Sequence, residues 1–298
     1  MPKRTIAVMG ATGHIGSALA ESLLGKGHEV RALGRDPKKL GALVARGAKA
    51  HSVVFTDAAA LGESLAGAEA AFVMIPPSLG EADYSGYQDR AADAIVKALE
   101  KAGVKKVLSL SSVGAQHAKG TGPVVGLHRL EKRLGELKGR DVVHLRPGYF
   151  MENHLFSIPT IKAMGVNGSP GKADLPIPQI ATKDIAAKAA ELLDHADFRG
   201  SSVLEFAGPR DITLAESTSI LGRAIGKPDL KYVQFPYADA EKALAGMMSP
   251  TAASVMVEMY RGMNEGLLRH EKPLGPTQRT KTALEEFVTQ VLAPAFRG

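Results

Sequence analysis

The stretch Val8–Met9–Gly10–Ala11–Thr12–Gly13–His14–Ile15–Gly16 has Gly-x-x-Gly-x-x-Gly spacing, set between an apolar run, Thr5–Val8, and a helical pattern, Leu19–Leu24. A turn without side-chain bulk lets backbone come close to a phosphate. The helix behind it offers unpaired N–H groups and the positive end of its dipole. A glycine triplet alone is a weak signal, but this one has the strand before it and the helix after it that a diphosphate-binding turn requires. Gly10, Ala11, Thr12, Gly13, His14, Ile15 and Gly16 are therefore the candidate cradle for the diphosphate of a dinucleotide.

Four further groups stand just after apolar runs, where a parallel sheet presents its ligands. Glu29–Leu33 is followed by Gly34, Arg35, Asp36, Pro37, Lys38 and Lys39. A guanidinium at that place grips a 2′-phosphate in a fork, with Lys39 nearby, so NADP(H) is favoured over NAD(H). Asp36 leaves a contact to a ribose hydroxyl open. Met74, Ile75, Pro76, Pro77 and Ser78 make a stiff turn that stops a strand, and Ile75, Pro76 and Pro77 can flank the cofactor. Ser111 and Ser112 put hydroxyls within reach of a nicotinamide ribose or a substrate carbonyl. Arg146–Pro147–Gly148–Tyr149–Phe150–Met151–Glu152–Asn153 joins a rigid turn to aromatics and an amide. Tyr149 and Asn153 can border a flat ring, or serve as core and helix cap.

Acid–base chemistry has one candidate centre. His128 and Lys132 lie four apart in an amphipathic helical pattern whose Leu127, Leu130, Leu134 and Leu137 face a core. An imidazole titrates near neutral pH and can donate a proton or a hydrogen bond. It can equally serve only to position a cofactor. No Tyr is followed four residues later by Lys.

These residues need a scaffold of alternating strands and helices. Candidate strands are Thr5–Met9, Glu29–Leu33, Lys49–Val54, Ala70–Ile75, Lys106–Ser111 and Val142–Leu145, with helical stretches near 15–25, 37–46, 58–66, 83–102 and 124–138. Continuous apolar runs are the mark of buried parallel strands. The fold class is α/β, a doubly wound parallel sheet of Rossmann type with a smaller, interleaved C-terminal substrate domain. Residues 1–153 form the dinucleotide-binding domain, to which a strand near 203–206 returns. Residues 154–298 form a mostly helical domain that covers the substrate. Within it Met164–Gly171 reads as a flexible turn region, and the helices are Leu214–Ile225, Ala238–Ala245 and Ala252–Met263. Five of the ten methionines fall between Met247 and Met263, as core or as an adaptable apolar lining.

Composition narrows the classes. The 298 residues are 45% hydrophobic, enough for a sizeable core. With no cysteine, disulfides, thiolate nucleophiles and Fe–S clusters are excluded. The histidines show no metal-ligand spacing, so no metal is expected. No apolar run reaches membrane-spanning length, and no signal-peptide pattern opens the chain, so the expected location is the cytoplasm. The net charge of +6 is dispersed, as in Arg129–Glu131–Lys132–Arg133–Glu136–Lys138, which reads as a solvated helix face. Nucleic acid and membrane are not expected partners. A small-molecule substrate is, and a homo-oligomer is open.

Taken in order, the Gly10–Gly16 turn, Arg35, His128 and Arg146–Asn153 resemble the NmrA-like branch of atypical short-chain dehydrogenases/reductases. Ala181–Thr182–Lys183–Asp184–Ile185–Ala186 and Leu204–Arg210 fit the same pattern, so the resemblance runs from about residue 4 to about 235. It implies NADP(H) binding. Members divide into enzymes, including quinone and phenylpropanoid reductases, and dinucleotide-binding redox sensors. The quinone reductases are the most similar, with His at the position of His128 and an aromatic turn ending in Asn. They carry an acid four residues after that His, where this chain has Lys132, with Glu131 beside it. The expected activity is NADPH-dependent hydride transfer to a small apolar carbonyl acceptor, a quinone. The alternative is a non-catalytic NADP(H)-sensing regulator.

Overall fold

The computed structural model describes residues 2–298. The first half alternates β1 (Thr5–Met9), α1 (His14–Gly25), β2 (Glu29–Gly34), α2 (Gly41–Ala45), β3 (Lys49–Ser52), α3 (Ala58–Leu65), β4 (Ala70–Val73), α4 (Tyr84–Ala102), β5 (Lys106–Leu110), α5 (Val124–Gly135) and β6 (Asp141–Pro147). The second half adds β7 (Tyr149–Phe150), α6 (Ile158–Met164), β8 (Val166–Ser169), β9 (Pro176–Ile180), α7 (Thr182–His195), β10 (Ser201–Phe206), β11 (Asp211–Thr213), α8 (Leu214–Ala224) and β12 (Lys231–Gln234). It ends with α9 (Tyr237–Ala245), α10 (Pro250–Asn264), α11 (Leu284–Phe287) and α12 (Ala293–Arg297).

The chain divides into two compact units. The first comprises Met1–Ser111, Gly126–Arg146 and Ile185–Leu204, and the second Ser112–Val125, Pro147–Asp184 and Glu205–Gly298. This departs from the division at residue 153 expected from sequence. The chain leaves the first unit three times and returns twice, and each return runs through a helix, since α5 and α7 begin in the second unit and finish in the first.

The first unit is built on a seven-stranded sheet in the order β10-β6-β5-β4-β1-β2-β3. Strands β1 to β6 pair in parallel. Ile6–Met9 and Ala70–Val73 are buried without interruption, as strands covered on both faces must be. Helix α1 buries Ile15, Leu19, Ala20 and Leu23 at helical spacing. Asp57 caps α3 and Asp83 caps α4, each carboxylate accepting first-turn N–H groups. The strand order reverses between β1 and β4, which puts the crevice for a ligand beside the carboxyl end of β1.

The second unit holds a three-stranded sheet, β11-β9-β7, and a two-stranded one, β12-β8. Its core includes Met151, Ile212, Leu221, Leu284, Phe287 and Val288. A mostly helical domain was the expectation; helices α6 and α8 to α12 make up most of its regular structure, with the five short strands set among them. The supposed flexible turn at Met164–Gly171 contains β8, which pairs in parallel with β12 from Val166↔Lys231 to Ser169↔Gln234. Among the described residues no helix is long and apolar enough to cross a membrane.

Candidate active site

The glycine turn leaves β1 at Met9. Gly10 has φ +68°, a conformation that side chains rarely adopt. The Gly13 N–H donates to the Gly10 carbonyl at 2.9 Å, and the Ala11 N–H to the Leu33 carbonyl of β2 at 3.0 Å. A Cβ on Gly16 would collide with the Gly10 carbonyl, so helix and strand end close on each other only with glycine there. Gly13 differs. A Cβ there would have only the Gly10 oxygen within 4 Å, at 3.4 Å. Gly13 caps α1 without a side chain, and no acidic residue stands in the first turn. Backbone donors and the helix dipole therefore face an open space, which is what a diphosphate requires. Thr12, Gly13 and His14 are exposed, while Ala11, Ile15 and Gly16 are buried. The latter three seat the turn on the core.

Arg35 follows β2 and is exposed, as is Lys39. Among the described residues Arg35, Lys38 and Lys39 form no ion pair. Asp36 caps the 3-10 turn Pro37–Leu40, accepting the Lys38 N–H at 3.0 Å. Its carboxylate is thus committed locally. At the end of β4, Ile75 and Pro76 are buried and Pro77 is exposed. The buried Tyr87 hydroxyl donates to the Pro76 carbonyl at 2.8 Å and fixes this stiff turn on α4. Burial pushes the Tyr87 phenol up, while the Arg35 charge pulls it the other way. Arg35, the β4 turn and α4 therefore share one edge of the sheet.

Helix α5 corrects the solvated-face reading. His128 is half-buried; Lys132 is exposed and forms no ion pair among the described residues. Glu131 between them is turned inward, its side chain 10% exposed against 8% for Arg146 of β6. Arg146 donates Nε to Oε1 at 3.0 Å and Nη2 to Oε2 at 2.7 Å. The Ser111 hydroxyl also donates to Oε1. Sequence reading missed this cluster. The signal was Arg146 itself, a charge near the end of a buried strand, where it could be accommodated only with a partner. Ser111 is 3% exposed, so its hydroxyl serves Glu131 first.

The second unit contains the other three candidates. Ser112 donates to the Val113 carbonyl at 3.0 Å. Tyr149 is hydrogen-bonded with the Asn153 side chain, and burial, aided by Tyr260 and Tyr232, raises its phenol well above the ordinary range. Tyr149 therefore stays protonated at every working pH and acts as a hydrogen-bonding group. It packs with Leu175, Tyr232, Tyr260 and Leu268 against Ile177, Leu214 and Met263. The Tyr232 hydroxyl lies 2.7 Å from Ser169 Oγ and donates to the Gly171 carbonyl at 2.7 Å. The structure brings Tyr149 and Asn153 together, and it adds Tyr232 and Tyr260, which arrive from distant segments and were not found in the sequence. Of the methionine stripe, Met263 is core at 3% exposed, whereas Met247 is 75% exposed. No group of three or more His, Asp or Glu among the described residues could hold a metal ion.

At the amino edge of the large sheet lies a cleft of about 330 Å³, lined by Arg4, Glu69, Ala70, Lys105, Lys106, Ala196 and Arg199. Its cations are mostly engaged. Lys106 binds Asp141 at 2.8 Å and the Phe198 carbonyl at 2.6 Å, and Arg4 donates to the Asp194 carbonyl at 2.6 Å. Arg199 donates to the Phe198 carbonyl at 3.2 Å.

The comparisons with known proteins agree with this geometry. Residues 2–288 match the model of the NmrA-like family. Quinone oxidoreductase 2 of Escherichia coli strain K12 is 31% identical over 269 residues, 88% of each chain. The NAD(P)H azoreductase of Xenophilus azovorans is 29% identical over 265 residues, 86% of each. Among solved structures, NADPH-dependent quinone oxidoreductase QOR2 from Escherichia coli, complexed with NADPH, superposes with a TM-score of 0.81 at 27% identity, covering 96% of this chain and 99% of its own. NmrA, a negative transcriptional regulator solved with NADP, shares the fold at a TM-score of 0.72 and 17% identity, covering 100% and 98% of the two chains. With a family match across nearly the whole sequence and the glycine turn, the reversed strand order and Arg35 in place, this chain belongs to the NmrA-like family.

Proposed function

We propose that the protein is an NAD(P)H-dependent oxidoreductase that prefers NADPH and reduces a small apolar carbonyl acceptor, a quinone. The observation that carries the reading is the pairing of an uncapped helix N-terminus at Gly13 with the unpaired cations Arg35, Lys38 and Lys39. The first suits a diphosphate, the second a 2′-phosphate. Local use of Asp36 as a cap supports NADPH over NADH. The quinone oxidoreductase and azoreductase relatives support the reaction class.

When bound, reduced nicotinamide supplies the hydride. The chain's own residues then have modest tasks. Gly10–Gly16 and Arg35 bind and orient the two phosphate sites, with Lys39 adding charge and Ile75, Pro76 and Pro77 flanking. His128 hydrogen-bonds the cofactor or the acceptor oxygen, and Lys132 adds positive charge one helical turn away. Ser112, Tyr149 and Asn153 are the acceptor residues, with Tyr149 held protonated by burial. A quinone is electrophilic and becomes aromatic on reduction, so it asks less of a protein acid than a ketone does. The lack of a Tyr-x-x-x-Lys pair in the sequence supports quinone over ketone. The test is NADPH consumption with a panel of quinones, alongside NADPH and NADH affinities by fluorescence titration. Turnover with a quinone and tighter NADPH binding are expected.

The exposure of Lys132 favours a second reading, since it leaves His128 without Lys132 as an enclosed acid–base partner on α5. In that reading the protein is a dinucleotide sensor that acts on a partner. Tight NADPH binding with no turnover of any acceptor selects it.

A further inference from the structure

Glu131 sits where three elements of the first unit converge. It comes from the middle of α5, Ser111 from the end of β5, and Arg146 from the end of β6. The two strand ends are also joined directly, the Ser111 N–H donating to the Leu145 carbonyl at 2.7 Å. A buried ion pair adds little net stability over an apolar replacement, because desolvation offsets the attraction. What the fork-to-fork geometry supplies is direction. The other charged anchors of α5 are more exposed. Arg129 holds Asp89 at 2.7 Å, and Arg133 holds Asp89 and Asp93 at 3.0 Å each, all of them against α4 or in solvent. Exposed pairs of this kind are weak constraints. The bonds of Glu131 tie α5 to the ends of β5 and β6.

His128 lies three residues before Glu131, on an adjacent strip of the same helix. Together with the buried Leu130 and Leu134, the clamped Glu131 carboxylate sets the rotation of α5, on which the direction of the imidazole depends. The same carboxylate takes the Ser111 hydrogen, so Ser111 Oγ can only accept from any further partner. We infer that Glu131, clamped by Arg146, is a positioning residue for the reaction. It aims His128 and makes Ser111 an obligate acceptor, suited to a hydroxyl or amide N–H donor and unsuited to a substrate carbonyl. This rests on the role proposed for His128 above.

A double-mutant cycle tests it, with NADPH and a soluble benzoquinone as the probes. Glu131→Gln is expected to lower kcat about tenfold or more, as a misaimed group does, with the Kd for NADPH within about twofold of wild type. In a His128→Ala background the same change is expected to cost less than about twofold, because its effect passes through His128. Effects that multiply in the double variant overturn the proposal. Arg146→Lys keeps the charge pair without the fork. It is expected to give a smaller loss with the same non-additivity, and it serves if the glutamine variant does not fold. An independent readout is the ring Cε1 resonance of His128 in 13C-histidine-labelled protein. It is expected to shift or broaden in Glu131→Gln while those of His51 and His195 stay fixed. An unchanged His128 line overturns the proposal whatever the turnover. If the wild-type chain reduces no quinone, the functional reading falls, and the resonance still decides the positioning role.

Discussion

The two edges of the large sheet both carry positive charge, and they treat it in opposite ways. At the carboxyl edge Arg35, Lys38 and Lys39 have no ion pair among the described residues and stand near a helix N-terminus without a side-chain cap. At the amino edge Arg4, Lys106 and Arg199 line a cleft of useful size, yet Asp141, the Asp194 carbonyl and the Phe198 carbonyl take up their donors. Net charge does not make an anion site; unsatisfied donors do. By that rule the carboxyl edge is the side with donors left over for an anion, whereas the amino edge braces.

The rule breaks most visibly at the glycines. Gly16→Ala forces a Cβ into the Gly10 carbonyl, which is backbone and cannot yield. A loss of about 3 kcal/mol in unfolding free energy is expected, read by urea denaturation. Arg35→Ala leaves the fold intact and removes a charge with no structural partner. NADPH affinity is expected to fall between about tenfold and a hundredfold at low salt, with NADH changed less than about twofold. Equal effects on both cofactors would show that Arg35 does not read the 2′-phosphate. Gly13→Ala then separates binding from folding. The extended backbone at Gly13, φ −96° and ψ 170°, suits alanine, and the new methyl has room. Melting temperature should hold, while NADPH affinity drops about tenfold as the methyl takes the space a phosphate needs. Lys105→Ala, at the amino edge, is the control and should leave both unchanged.

The same contrast separates what could be read from sequence from what could not. The six parallel strands and the glycine turn were legible because their causes are local: unbroken apolar runs, and glycine where a Cβ has no room. Strand β8 was not. Val166–Asn167–Gly168–Ser169 has no strand-like period, and it becomes a strand only by pairing with residues from Lys231 onward. Tyr232 and Tyr260 joined Tyr149 out of sight for the same reason. Glu131 was concealed differently. In a run of alternating charges it looks solvated, and only the position of Arg146 in a buried strand shows that one of those charges had to turn inward. Local patterns reveal backbone sites, whereas sites made of side chains depend on packing between distant segments.

At the amino edge the braces predict an acid response. Hydrogen bonds from Lys106 to Asp141 and from Lys26 to Asp194 lower both carboxyls below the ordinary aspartate range. Their contribution to stability is complete above that range, near pH 4, and is lost as pH falls through the depressed values. Asp141→Asn should therefore flatten the low-pH side of the stability curve and leave NADPH affinity at neutral pH unchanged. A change in that affinity would mean that the two edges are coupled.

The smallest effect lies in the backbone of the same brace. Ala196 closes α7 with φ +47°, and it is the one non-glycine residue with positive φ among the described residues. Its N–H reaches back to the Leu192 carbonyl at 2.8 Å, the turn that usually ends on glycine. A left-handed alanine costs roughly 1 kcal/mol, which glycine would relieve, partly offset by the greater freedom of glycine in the unfolded chain. The alanine methyl is also buried, at 6% exposure for the residue, and its loss works against the gain. The expected net result for Ala196→Gly is a stabilisation of about 0.5 kcal/mol with no change in NADPH binding. Destabilisation would show that the methyl is part of the packing that holds Arg4 and Lys106 in their paired positions. In that case the amino edge keeps its strained turn for the sake of the charges it neutralises.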